Sequence, residues 1–158
     1  MDLQYLTGQR IDDVLKLRRK DITEQGILLK PVKTSNSTGV RMLLKWSPQL
    51  RAAVERAKSL NPNFTTLTLL HGRTGKAPDC RTVALQWTTA AKAAGIEDVR
   101  PNDSRAKALT DTKKQGNNAT ALAGHATEAM TERYIRQHDT PEVFGPSFRH
   151  SLDVRQKG

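Results

Sequence analysis

One block of this chain is patterned for strands. Ile27 to Leu29 and Val40 to Leu44 are short apolar runs on either side of the polar, glycine-containing stretch KTSNSTG, the layout of a β-hairpin with a flexible tip. Two strands do not stand alone, so a third is expected near Ile22. The other apolar repeats run mostly at helical period. Ile11, Val14 and Leu15 give one face to a helix from Arg10 to Leu17. Ser47-Pro48 suits the N-cap and first position of a helix whose apolar face is Leu50, Ala53, Val54 and Ala57. Val83, Trp87, Ala90, Ala91 and Ala94 fall at offsets of four, seven, eight and eleven, up to a capping Gly95. A further helix begins near Asp103 and carries Ala106 and Leu109. Asn118 can cap a short helix that stops at Gly124, and Thr127 the next, which bears Met130 and Tyr134. The expected fold is α+β: mostly α-helical, with a small three-stranded antiparallel sheet.

Charge narrows the partners. The 158 residues hold 26 Lys+Arg against 16 Asp+Glu, a formal charge of +10. Such a surplus concerns partners and solubility rather than fold, and nucleic acid is the commonest polyanion it serves. Cys80 is the single cysteine, which excludes an internal disulfide and a two-thiolate metal site and suits a reducing cytoplasm. No apolar run approaches membrane-spanning length, and MDLQYLTGQR lacks the layout of a secretory signal. The chain has no repeat and no convincing linker, and its length suits one domain.

The stretch LAGHATEAMTERYIR, Leu122 to Arg136, carries the chemistry. A corner between two short helices holds His125, its ring expected to point outward, and Tyr134 follows nine residues later, about two turns into the second helix. A phenol has a pKa near 10, so only about a thousandth is ionised at neutral pH and a tyrosine nucleophile needs cations beside it. Arg10, Lys33 and Arg105 stand in distinctive local settings.

Those settings resemble the tyrosine recombinases, the phage-integrase superfamily. TGQRIDDVLKL, Thr7 to Leu17, is similar to that family's first-arginine box, and Lys33-Thr34 to its hairpin lysine. NDSRAKALTD, Asn102 to Asp111, resembles the His-x-x-Arg box, and LAGHATEAMTERYIR the Leu-x-Gly-His box with its tyrosine. Each box alone is weak, and each residue alone reads as an ordinary helix, hairpin or cap residue; all four in order are specific.

The resemblance implies the catalytic-domain fold of that family over residues 1–136, with 137–158 as a C-terminal tail that packs on its own domain or on a neighbouring protomer. It implies Tyr134 as nucleophile on a DNA phosphate, giving a 3′-phosphotyrosyl link and a free 5′-hydroxyl. Arg10 and Arg105 would grip the non-bridging oxygens, where two planar forks stabilise the charge of a pentacoordinate transition state. Lys33 would protonate the leaving 5′-oxygen, His125 would donate a hydrogen bond to the phosphate, and Asp13 would orient Arg10. Lys107, Lys113 and Lys114 would contact backbone phosphates. No cofactor or metal is called for. The partners implied are double-stranded DNA, three further copies in a tetramer on DNA with a monomer in isolation, and accessory DNA-bending proteins, all in a bacterial cytoplasm.

The sequence departs from the family pattern in two places. Asn102 stands where the second box usually has His, and only nine residues precede Arg10, so the family's N-terminal core-binding domain is expected to be absent. The leading reading is the catalytic domain of a phage or prophage integrase. A non-catalytic DNA-binding remnant and a type IB topoisomerase-like relaxing enzyme are the alternatives. Cys80 and His71 are read as structural.

Overall fold

The computed structural model describes residues 1–30, 41–60 and 66–135. Lys33, Val40, Arg136 and the whole tail, including Val143, Phe144, Phe148 and Leu152, lie outside the described residues.

Helix α1 spans Asp2–Thr7 and α2 Ile11–Leu15. Strands β1, Gly26–Leu29, and β2, Met42–Lys45, pair antiparallel with Ile27 opposite Leu44 and Leu29 opposite Met42. Helix α3 spans Pro48–Ser59, α4 Cys80–Ala93, α5 Pro101–Lys114, α6 Ala119–Ala123 and α7 Glu128–Glu132. The architecture is the mostly helical domain with a small antiparallel sheet that the patterning suggests.

The third strand is the exception. Among the described residues the sheet has two strands, and Ile22 contributes only an isolated bridge to Ile27. A 3-10 turn at Arg19–Asp21 precedes it, and Thr23 hydrogen-bonds the Gly26 carbonyl through both its amide and its hydroxyl. Two turns so close leave no run of extended backbone to pair.

The helices begin where side chains can satisfy their first amides. Ser47 Oγ accepts from Leu50 N at 3.1 Å, Asp79 Oδ2 accepts from Arg81 N and Thr82 N, and Asn118 Oδ1 accepts from Ala121 N. Helix α4 therefore starts three residues before Val83, and of its expected apolar face only Ala91 is buried; Trp87 is half-buried and donates Nε1 to the Val99 carbonyl. Helix α5 starts earlier than the pattern suggests, because Pro101 suits the first position and Asp103 Oδ2 accepts from Arg100 N at 2.8 Å. Asn102 thus lies within the first turn of α5 and is not its cap.

Two apolar clusters hold these elements. The larger joins Leu3, Val14, Leu17, Ile27, Leu29, Leu50, Val54 and Leu69 across α1, α2, the hairpin and α3. The smaller is Leu109 with Ala119 and Ala123, flanked by Leu122, Tyr134 and Ile135. Full burial of a leucine such as Leu109 contributes about 1.5–3 kcal/mol. This second cluster carries α6 and the segment beyond α7 against α5, and the site forms at its edge.

Candidate active site

Helix α5 turns one face inward, and the buried residues on it are Arg105, Ala106, Ala108 and Leu109. A fully buried arginine on an apolar face requires polar partners. Arg105 Nη1 donates to the Gly8 carbonyl at 2.5 Å, and Nη2 donates to the Ala123 carbonyl at 3.0 Å. Nη2 also stands 3.1 Å from His125 Nε2. Among the described residues the buried Nε has no hydrogen-bond partner.

Two glycines shape the carbonyl cradle. Gly8 ends α1 at φ 63°, and a Cβ there would lie 2.9 Å from Leu122 Cγ, so both the turn and the close approach call for glycine. Gly124 ends α6 at φ 64° and throws His125 back toward α5. Gln9, buried between them, donates Nε2 to the carbonyls of Thr7 and Leu122 at 3.1 and 2.7 Å. It locks the loop that carries Arg10 onto the Gly-His corner.

His125 differs from the expectation of an outward ring. It is half-buried with both nitrogens engaged: Nε2 with Arg105, and Nδ1 with Thr131 Oγ1 at 3.0 Å. Thr131 is buried, and its Oγ1 donates to Thr120 Oγ1 at 3.0 Å. Burial, then the charges of Arg105 and Arg10, push the imidazole pKa down to about 4, so the ring is neutral at pH 7.

Tyr134 lies beyond the helix that was expected to carry it. Thr127 makes no side-chain cap, α7 stops at Glu132, and Tyr134 sits in the following turn with its amide on the Thr131 carbonyl at 2.9 Å. Packing rather than helix geometry places the ring. Its centroid is 5.1 Å from that of His125 at an interplanar angle of 36°, and Arg105 Cζ lies 5.2 Å from it.

The electrostatics converge on the same point. Arg105 is lowered to about 10, chiefly by burial and then by repulsion from Arg10, while Tyr134 and Asp13 act the other way. Arg10 is the N-cap residue of α2, and its carbonyl accepts from the amides of Asp13 and Val14. Arg10, Asp13, Arg105, His125 and Tyr134 therefore form one electrostatically connected group. It can attract and hold an anion, and it sets a phenol ring beside the Arg105 cation, which a second cation repels.

The remaining predicted residues among those described stand apart from this group. Asn102 is exposed, one turn before Arg105 on α5. Lys107 Nζ bonds both carboxylate oxygens of Asp111, at 2.6 and 2.7 Å, and the same carboxylate accepts from Tyr5 Oη. Lys113 Nζ bonds Glu132 Oε1, and Lys114 is exposed in the last turn of α5. Cys80 opens α4, its thiol pushed up by burial and by Asp12, and His71 is buried with Nδ1 3.2 Å from the Gly72 carbonyl. Among the described residues no three His, Cys, Asp or Glu side chains stand together as metal ligands, and no helix is long and apolar enough to cross a membrane.

Sequence reasoning missed Gln9, Thr120 and Thr131. Gln9 stands beside Arg10 within TGQR, which was a usable signal. The two threonines meet only because the Gly124 corner folds α7 back beside α6.

The phage integrase family's sequence model matches residues 1–140. No curated protein sequence matches. A lambda integrase dimer bound to a core site superposes with a TM-score of 0.74 at 19% identity, over 92% of this chain and 53% of that one. A lambda integrase tetramer bound to a Holliday junction gives 0.73 at 20%, over 89% and 43%. XerA recombinase gives 0.71 at 20%, over 86% and 50%. The chain spans about half the length of these solved relatives, and at such identities the likeness is one of fold.

Proposed function

Because this chain belongs to the phage integrase family, we propose that it is the catalytic domain of a tyrosine-type DNA strand transferase, which cleaves and rejoins DNA through a 3′-phosphotyrosyl intermediate. One observation carries the reading furthest: a fully buried arginine, repelled by a second arginine, lies against a tyrosine ring. Keeping two guanidinium groups so close is unfavourable until an anion joins them, and a phosphodiester is the anion that a tyrosine nucleophile would attack.

In this reading Tyr134 Oη attacks the phosphorus, Arg10 and Arg105 hold the non-bridging oxygens, and Asp13 orients Arg10. Lys33, which lies between the two strands along the chain, gives a proton to the leaving 5′-oxygen. Since the tyrosine ring rests over the guanidinium, it turns aside as the phosphate arrives and presents its hydroxyl to it. Lys107 and Lys113 exchange their carboxylate partners for backbone phosphates, with Lys114 beside them. The lambda integrase complexes on a core site and on a Holliday junction support double-stranded DNA as substrate and a tetramer as the working assembly. The chain is a monomer until DNA gathers it, and DNA-bending proteins assist. Residues 137–158 dock on the neighbouring protomer.

The test is incubation with nicked suicide DNA followed by a denaturing gel. A protein–DNA band with the unaltered protein and none with Tyr134→Phe is expected. A second reading, a non-catalytic DNA-binding remnant, is favoured by Asn102, because a carboxamide cannot titrate where the family places an imidazole. It would prevail if the unaltered chain binds DNA, forms no covalent band, and stays inert as Asn102→His.

A further inference from the structure

The strand-transferase reading leaves open which group takes the proton from Tyr134. The hydrogen bonds around His125 bear on it directly. A guanidinium can only donate, so His125 Nε2, 3.1 Å from Arg105 Nη2, must be the accepting nitrogen. The ring proton of the neutral imidazole is then on Nδ1, directed at Thr131 Oγ1. That hydroxyl has one proton of its own, and it points to Thr120 Oγ1. The donors thus run one way, from Arg105 through His125 and Thr131 to Thr120. Thr131 is 1% exposed, so water does not substitute for its oxygen.

We propose that Thr131 is a positioning residue that fixes His125 in the Nδ1–H tautomer, making Nε2 the proton acceptor for Tyr134 in this chain. The proposal rests on the strand-transferase reading. Asn102 offers no titratable nitrogen, and among the described residues His125 is the imidazole packed against the tyrosine ring. In the unbound protein Arg105 occupies the Nε2 lone pair. An arriving phosphate draws that N–H to its own oxygen and offsets the positive field of Arg10 and Arg105, so the lone pair is released as its basicity rises. The phenol proton passes to Nε2 while the Oη–P bond forms and the P–O5′ bond breaks, and Lys33 supplies the proton that the leaving oxygen takes. The imidazolium, still held through Nδ1 by Thr131, then donates Nε2–H to a phosphate oxygen. In the rejoining step it returns that proton to Tyr134.

The tautomer is read in the free protein from the ring-nitrogen chemical shifts of 15N-labelled His125, with no need for cleavage. The Nδ1–H pattern is expected in the unaltered protein and in Thr131→Ser; an Nε2–H pattern in the unaltered protein overturns the proposal. On suicide DNA, Thr131→Val should slow covalent-complex formation about tenfold or more, the scale of lost proton-transfer assistance, and Thr131→Ser should restore most of it. Thr120→Val leaves Thr131 in place but frees its hydroxyl proton to turn toward Nδ1, so it should admit some Nε2–H tautomer and slow the reaction less. If both valine variants fold and keep the unaltered tautomer and rate, Thr131 has no such role. An unaltered protein that forms no covalent complex while showing Nδ1–H would sink the strand-transferase reading and leave the tautomer assignment standing.

Discussion

Replacing Arg105 by Ala should unfold this domain more easily as well as silence it. The side chain supplies charged donors to two main-chain carbonyls and one imidazole nitrogen, all inside the protein. Hydrogen bonds to charged groups contribute about 1.5–3 kcal/mol each, so three come to about 4–9 kcal/mol. Against this stands the cost of burying the cation. Its depression to about 10 corresponds to about 3 kcal/mol, relieved when the charge is removed. The net is a destabilisation of about 1–6 kcal/mol, or roughly 10 °C in Tm for a chain of this size. Arg10→Ala provides the contrast: it removes a cation that repels Arg105, so its stability should equal or exceed that of the parent while cleavage is lost. Urea denaturation of the three proteins at pH 7, with the slope held common, measures both. An Arg105→Ala midpoint equal to the parent's would refute the reasoning, since the buried carbonyls would then have no need of the guanidinium.

Three other outcomes are expected. His125 titrates near 4 in the fold against about 6.5 in an unfolded chain, so below about pH 6.5 the unfolded state takes up a proton that the fold refuses. Stability should fall as pH drops through that window, and a pH series of urea midpoints should flatten in His125→Gln. DNA affinity should fall steeply with salt, given a charge of +10 and 4% aromatic residues; filter binding from 50 to 200 mM salt that shows a flat response would contradict this. Lys33→Ala should recover cleavage on a substrate with sulfur at the 5′-bridging position, because a thiolate leaves without a proton, whereas Tyr134→Phe should not recover. Failure of the rescue, on a substrate that the parent cleaves, would leave the lysine a phosphate contact.

Local signals were the legible ones. Ser47-Pro48, Asn118 and Gly124 announce their helix ends because caps and left-handed turns are settled within a few residues. The boxes around Arg10, Arg105, His125 and Tyr134 could be read as chemistry because their order along the chain is itself information. What stayed hidden depends on contacts between distant segments. Nothing near Ile22 signals that two turns will leave it a lone bridge. The spacing to Tyr134 suggested a continuing helix, whereas packing on Leu109 and Arg105 places its ring after the helix has ended. The Thr131–Thr120 relay has no sequence signature, because two threonines eleven residues apart acquire meaning only when a corner folds between them.

The bonds that assemble the site are among the most distant along the chain. Arg105 reaches Gly8 across 97 residues, Tyr5 reaches Asp111 across 106, and Gln9 reaches Leu122 across 113. Contacts of such separation carry the largest loop-closure entropy and form after local helices do. A chain still emerging from synthesis, or one transiently opened at α1, therefore has its tyrosine and its arginines but no common geometry for them. In the strand-transferase reading the site is chemically silent until these distant segments have met, which sets an order of events: closure first, then competence.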